Sequence, residues 1–261
     1  FGNAITVGSA PNNLVIPDVK WETSEQFNVG ADMTFYNGMI RASFDWFKKS
    51  TKDLLFQPTV EAIRGNNAAF RNLGNITNQG VEMQMTFNKN WNEINFSISA
   101  NASYLKNEVV KIGNTNGYTD GGDWRTSVKV TRMEEGHAMG YFRLYKNLGI
   151  FQNEEQIQNY KSKDGKVIQP DAVPGDFIWQ DTNGDGQITD EDRTDCGNPW
   201  PKWTFGLNLG ADWRGIDMTI FLTGKAGYKV FSDIYRQEAY GRSNLPSYYL
   251  DRWQKEGDNN G

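Results

Sequence analysis

A strict two-residue alternation, repeated on both arms of three hairpins, limits what this chain can fold into more than any other feature. Phe27, Val29, Ala31, Met33 and Phe35 fall on one face, with Gln26, Asn28, Gly30, Asp32 and Thr34 opposite. Asn37-Gly38 follows, a pair suited to a two-residue turn because both positions tolerate positive φ. The return arm groups Ile40, Ala42, Phe44 and Trp46 against Arg41, Ser43 and Asp45. A second hairpin sets Val81, Met83, Met85 and Phe87 beside Ile94, Phe96, Ile98, Ala100, Ala102 and Tyr104, with a polar turn over Lys89 to Glu93. A third runs Phe205, Leu207, Leu209, Ala211 and Trp213, turns at Arg214-Gly215, and returns through Ile216, Met218, Ile220 and Leu222. Period two dictates extended strands, since successive side chains project to opposite sides.

The face opposite the apolar one is rich in Asn, Ser, Gln and Gly, as a water-filled interior would be. The connections alternate between tight turns and long segments at about 48–77, 107–202 and 226–261, and loops of that length are uncommon in compact soluble domains. Short turns on one side and long loops on the other characterise bacterial outer-membrane barrels. The expected fold is therefore all-β: an antiparallel transmembrane β-barrel segment of about six strands, with long extracellular loops. Six strands cannot close, because single-chain bacterial barrels begin at eight. Residues 1–261 are thus expected to form part of one larger barrel domain, with Phe1 not a natural start and 107–202 a large extracellular loop. The alternative is a soluble β-sandwich, a calcium-stabilised glycan-binding or adhesion module, which would show the same alternation.

Composition favours the barrel. Aromatic residues make up 13% of the chain, with nine Trp, yet the chain is hydrophilic overall; girdles of aromatics beside polar lumen residues produce this combination. No stretch approaches 18 consecutive apolar residues, which rules out a transmembrane helix but not barrel strands. The 27 basic residues face 32 acidic ones, so no basic surface points to nucleic acid. No catalytic constellation is visible, and an enzyme is not expected. Cys196 is the only cysteine and His137 the only histidine, far apart in sequence. Glu134-Glu135 are adjacent and would point apart along a strand, making a poor acid/base pair.

Within the middle connection, Asn153 with Gln156 three residues on reads as the cap of a helix reaching about Ser162. Pro174-Gly175-Asp176 reads as a turn, followed by a short strand Phe177-Ile178-Trp179. Asp53 to Gln57 either extends the wall or packs under a neighbouring loop.

One motif carries chemistry. Asp181-Thr182-Asn183-Gly184-Asp185-Gly186-Gln187-Ile188-Thr189-Asp190-Glu191-Asp192 has the spacing of a calcium loop, which gathers oxygens around a hard cation. Asp181, Asn183 and Asp185 occupy ligand positions one, three and five, and Gly186 permits the sharp turn at six. Gln187 would contribute its carbonyl, Thr189 a water-mediated contact, and Asp192 stands where a bidentate Glu is usual. The expected ion is a structural Ca2+, with Mg2+ less favoured; the alternative is an Asx-rich turn without metal. Seven acids and one base, Arg193, lie between Asp176 and Asp195, so a cation would relieve crowding.

Several segments resemble the SusC/RagA family of TonB-linked transporters. Pro17-Asp18-Val19-Lys20-Trp21-Glu22-Thr23 with Phe27-Asn28-Val29-Gly30 is similar to its "PDLKWET…FNIGLD" strand, and Asn72 to Glu82 resembles "NIGSVENKGFE". Leu148-Gly149-Ile150-Phe151-Gln152, Pro174-Gly175-Asp176, the calcium-type loop and Gly197-Asn198-Pro199-Trp200-Pro201 follow in the family's order. The resemblance implies a plugged barrel of twenty-two strands in the outer membrane of a Gram-negative, Bacteroidetes-like cell. It also implies import of an oligosaccharide or peptide nutrient, powered through the TonB complex, with a SusD-like lipoprotein partner; the nutrient and the residues that contact it are not specified.

Overall fold

A computed structural model describes residues 19–56, 71–114, 116–124, 128–232 and 247–258. Six long strands form one antiparallel meander: β1 (Thr23–Phe35), β2 (Ile40–Phe56), β3 (Arg71–Trp91), β4 (Ile94–Ile112), β13 (Trp203–Trp213) and β14 (Ile216–Ala226). The connection from β4 to β13 carries β5 (Tyr118–Asp120), β6 (Asp123–Trp124), β7 (Val128–Lys129), β8 (Thr131–Glu134), β9 (Tyr141–Leu144), β10 (Asn147–Ile150), α1 (Glu154–Asn159), β11 (Phe177–Trp179) and β12 (Thr194–Asp195).

The three hairpins stand where alternation puts them, and their turns are tight. Asn37 and Gly38 both have positive φ, and Met39 N–H donates to Tyr36 O at 3.2 Å. Arg214 and Gly215 also take positive φ. The middle turn is shorter than expected: Trp91 pairs with Ile94, leaving only Asn92-Glu93 outside the ladder. The strands also run further than their apolar stretches. β2 reaches Phe56, β3 begins at Arg71 and β4 ends at Ile112, so much of 48–77 is wall rather than loop, and the middle connection begins after 112. Alternating hydrophobicity marks only where apolar surroundings demand it; the backbone ladder continues beyond that zone.

Register aligns the apolar residues into rows. Met33, Ala42, Met85, Ala100, Leu207 and Leu222 lie side by side across all six strands, and Val29, Trp46, Val81, Tyr104, Trp203 and Ala226 form another row. At the turn end, Trp91, Ile94, Trp213 and Ile216 complete the band. From Ile94 to Tyr104 the strand rises roughly 33 Å, which a tilt of about 40° converts to a band about 25 Å tall. This face is open. Phe27 is 64% exposed, Met85 53% and Leu222 55%. A sandwich would bury these side chains against a second sheet, so the sandwich alternative fails here.

Beyond the band the polarity of the sheet reverses. Ile76 and Val109, on the same face as Glu82 and Ser103, are buried, and with Ile112 and Met133 they form a core cluster. Leu54, Phe56 and Met139 pack against it, so the Asp53–Phe56 stretch both extends the wall and packs under the long connection; Gln57 lies outside the described residues. The β8–β9 turn is tied to β4, where Val109 N–H donates to His137 O at 2.8 Å and Gly136 N–H to Val109 O at 2.9 Å. The long connection therefore folds inward over the polar face.

Gly80 pairs with Phe47 of β2 and Leu105 of β4. A Cβ there would stand 2.0 Å from Tyr104 O and 3.1 Å from Phe47 Cζ, and the obstacle at Tyr104 is backbone. Gly80→Ala in the full-length protein should cost about 1–3 kcal/mol through overpacking, read as an earlier thermal loss of the compact gel mobility in detergent. Unchanged mobility would mean that β3 and β4 lie further apart.

Candidate functional site

The Asp181–Asp192 loop folds by hydrogen-bonding its own backbone. Asp181 accepts from Gly184 N–H at 2.7 Å and Gly186 N–H at 2.9 Å. Asn183 Oδ1 accepts from Asp185 N–H at 3.0 Å, and Asp185 Oδ1 from Gln187 N–H at 2.8 Å. Gly184 and Gly186 take φ of 77° and 83°, as the coiling requires. Gly186 is buried, and a Cβ there would meet Ser162 Cβ at 2.8 Å. Ile188 is half-buried beside Ile168, Gln169 and Trp179.

Asp192 closes the loop. It is fully buried, and Oδ1 accepts from Thr182 N–H at 2.8 Å and Asn183 N–H at 3.4 Å, while Oδ2 accepts from Thr189 N–H at 2.7 Å. Thr189 caps the 3-10 turn Asp190–Asp192, its hydroxyl accepting from Glu191 N–H at 3.3 Å. Burial works against ionisation of Asp192, but the amides of Thr189, Thr182 and Asn183 outweigh it and hold its pKa below the ordinary carboxylate value. Asp181, Asn183, Asp185 and the Gln187 carbonyl have the chemistry a hard cation wants. Asp192 stands at position twelve with amides on both its oxygens, as Asp181 does at position one. Among the described residues no three His, Cys, Asp or Glu side chains gather as a metal-holding group.

Two arginines answer the local crowding of acids. Arg193 Nε and Arg143 Nη1 each lie 3.1 Å from Asp190, and Arg143 Nη2 donates to Asp190 O at 2.7 Å. Arg143 comes from β9, distant in sequence, and a count of local charge misses it. Asp195 meets His137 Nδ1 at 3.1 Å. Burial pushes the Cys196 thiol up, away from thiolate, and its Sγ contacts Leu144 O at 3.5 Å. Glu134 and Glu135 point apart: the first accepts from Tyr141 OH and the second from Ile112 N–H.

The elements expected around the loop are present with altered bounds. Asn153 caps α1, accepting from Gln156 N–H at 3.0 Å. Gln156 turns its own side chain to Gln152 N–H at 2.9 Å, and the helix ends at Asn159 rather than near Ser162. β11 pairs with β10 over Phe177–Trp179, after the turn at Gly175, whose φ is 100°. Trp203 joins Tyr104 on the apolar face with ring centroids 4.9 Å apart, and Trp200 Nε1 donates to Met139 O at 2.7 Å.

Comparison with known proteins decides the family. The family description "TonB dependent receptor-like, beta-barrel" matches residues 1–254. The chain belongs to this family. It is 30% identical to TonB-dependent receptor P39 of Formosa agariphila over 90% of its own length and 24% of that protein's. It is 26% identical to TonB-dependent receptor P3 of the same organism over 95% of its length and 25% of the relative's. With TonB-dependent receptor SusC of Bacteroides thetaiotaomicron it shares 24% identity over 85% of this chain and 21% of that one. The chain spans about a quarter of the length of the curated relatives it matches most fully. A solved structure described as the RagAB peptide transporter superposes with a TM-score of 0.64 at 22% identity, covering 82% of this chain and 22% of that one. That likeness supports the fold: six strands of a larger TonB-dependent barrel.

Because the folded pKa of Asp192 is depressed, its stabilisation is complete above the unfolded carboxylate value of about 3.9 and fades as pH falls through the lower folded value. Asp192→Asn should loosen the loop at neutral pH by about 1.5–3 kcal/mol, the range for hydrogen bonds to a charged group. Faster amide exchange at Thr182, Asn183 and Thr189 would show it, and wild-type exchange matching the variant would refute it.

Proposed function

We propose that this chain is part of the wall of an outer-membrane, TonB-dependent nutrient importer of the SusC/RagA type. The observation that carries this reading is the open apolar face of the six-stranded meander, about as tall as a membrane core, backed by a face of Asn, Ser, Gln and Gly. In hydrocarbon every backbone N–H and C=O must be satisfied within the protein, and an unbroken antiparallel ladder does so wherever both neighbours are present. Lipid then covers the apolar face, and the polar face lines the passage. A SusD-like lipoprotein at the outer end, the TonB complex on the periplasmic side, and an oligosaccharide or peptide cargo complete the proposal. The relatives carry names of receptors and transporters, which supports transport rather than catalysis.

The proposal fixes an orientation: the turns at Asn37-Gly38, Asn92-Glu93 and Arg214-Gly215 face the periplasm, and the long connections face outward. Single cysteines introduced at Asn116 and Gly215, in a cysteine-free full-length background, should react with an impermeant maleimide on intact cells only at Asn116. Labelling at Gly215 alone would reverse the orientation, and loss of uptake should follow deletion of TonB.

Calcium forms a separate proposal, supported by the spacing of Asp181, Asn183 and Asp185 and by the glycines that coil the loop. The ion would be structural, bound by those side chains, the Gln187 carbonyl and Asp192 at position twelve. Titration calorimetry of the full-length protein should detect one Ca2+ site that Asp185→Ala removes. A featureless titration would leave the loop an Asx-rich turn closed by Asp192 alone.

A further inference from the structure

A hundred residues beyond the β10–α1 corner, the chain returns to it. Gln152 links β10 to α1, and its single carboxamide is engaged at both ends. Oε1 accepts from Trp253 Nε1 at 3.1 Å and Gly257 N–H at 2.9 Å. Nε2 donates to Ile150 O and Asp258 O, each at 3.2 Å. Next to it, Asn153 Nδ2 donates to Glu256 Oε1 at 2.6 Å. The returning segment is cinched into a compact turn by Asp258, whose Oδ2 accepts from Gln254 and Lys255 N–H, both at 3.1 Å.

The ring of Trp253 rests on the Pro174-Gly175-Asp176 turn. A Cβ on Gly175 would stand 2.6 Å from Trp253 Cε3, so the missing side chain is what admits the indole. That turn is itself bound to the corner, because Gly175 N–H donates to Phe151 O at 2.8 Å and Phe151 N–H to Asp176 O at 2.9 Å. Phe151 is buried. One side chain and one glycine turn thus join the connection before β13 to the connection after β14.

We propose that Trp253–Asp258 is a strap, buckled by Gln152, that makes the β10–α1 corner and the Pro174–Asp176 turn before β13 move as one body with the 253–258 segment after β14. The buckle needs a carboxamide. Ala at position 152 supplies neither acceptor nor donor, and Glu loses the donor while setting a negative charge against Asp258 O and Glu256. The proposal is independent of what the barrel transports.

Hydrogen–deuterium exchange on the full-length protein in detergent, followed at 173–179 and 253–258, tests it. Gln152→Ala and Trp253→Ala should each raise exchange in both segments by about tenfold, the effect of losing one or two net hydrogen bonds. The double variant should add little, because both changes open the same clasp. Trp253→Phe keeps a ring on Gly175 but removes the indole donor, and should give a smaller rise in both segments if the larger changes prevent folding. Exchange that rises at 253–258 while 173–179 stays unchanged, or single effects that add fully in the double variant, would overturn the strap.

Discussion

Everything in this chain hangs on the backbone ladder that runs without crossover from β1 to β14. Within the apolar band it satisfies the polar groups that hydrocarbon cannot. It also sets register, and a slip of one residue would carry every side chain to the other face. The two-residue turns hold that register. With Asn37-Gly38 and Arg214-Gly215 in the positive-φ region, Phe35 must meet Ile40 and Trp213 must meet Ile216. Within the hairpins the register follows from those starting pairs, and the β2–β3 and β4–β13 ladders then align the rows of Met33 to Leu222 and Val29 to Ala226.

The same ladder supports the long connection. Above the apolar band, β3 and β4 continue as strands while their inner face becomes a floor, and Ile76, Val109 and Ile112 receive Met133 and Met139. Anchoring at Val109 holds the turn from β8 to β9, and β9 in turn delivers Arg143 to Asp190 and pairs with β12. Order in the acidic loop therefore reaches back to the barrel wall. Fixing so many loop residues costs conformational entropy. The offsetting contributions are local and polar: Asx-type bonds from Asp181, Asn183 and Asp185, and the three amides held by buried Asp192.

Alternation, turn chemistry and capping were readable because each is a short-range rule. Phe27 to Phe35 can be assigned to a face by parity alone, Asn37-Gly38 to a turn by its tolerance of positive φ, and Asn153 to a cap by its side-chain oxygen. The bounds drifted where a rule lost its grip. β2, β3 and β4 outran their apolar stretches because water tolerates a ladder of any composition. α1 stopped early, with Tyr160 N–H bonded to Gln156 and Ile157 carbonyls and Tyr160 OH turned to Trp179 O at 2.6 Å. The D-x-N-x-D-G spacing revealed a coiled acidic loop, but not that Asp192 would be buried beneath three amides.

By itself, then, the sequence determined the core of the sheet: the strands within the apolar band, which face meets apolar surroundings and where the hairpins turn, since all of that follows from neighbours two to four residues apart. Tertiary structure alone decided the reversal of polarity above the band, the Arg143–Asp190 contact, the seat of Trp253 on Gly175 and the burial of Asp192. Each of these joins segments that no local spacing relates, and whether Ile76 or Val109 lies in water or in a core depends on what the folded chain lays over it.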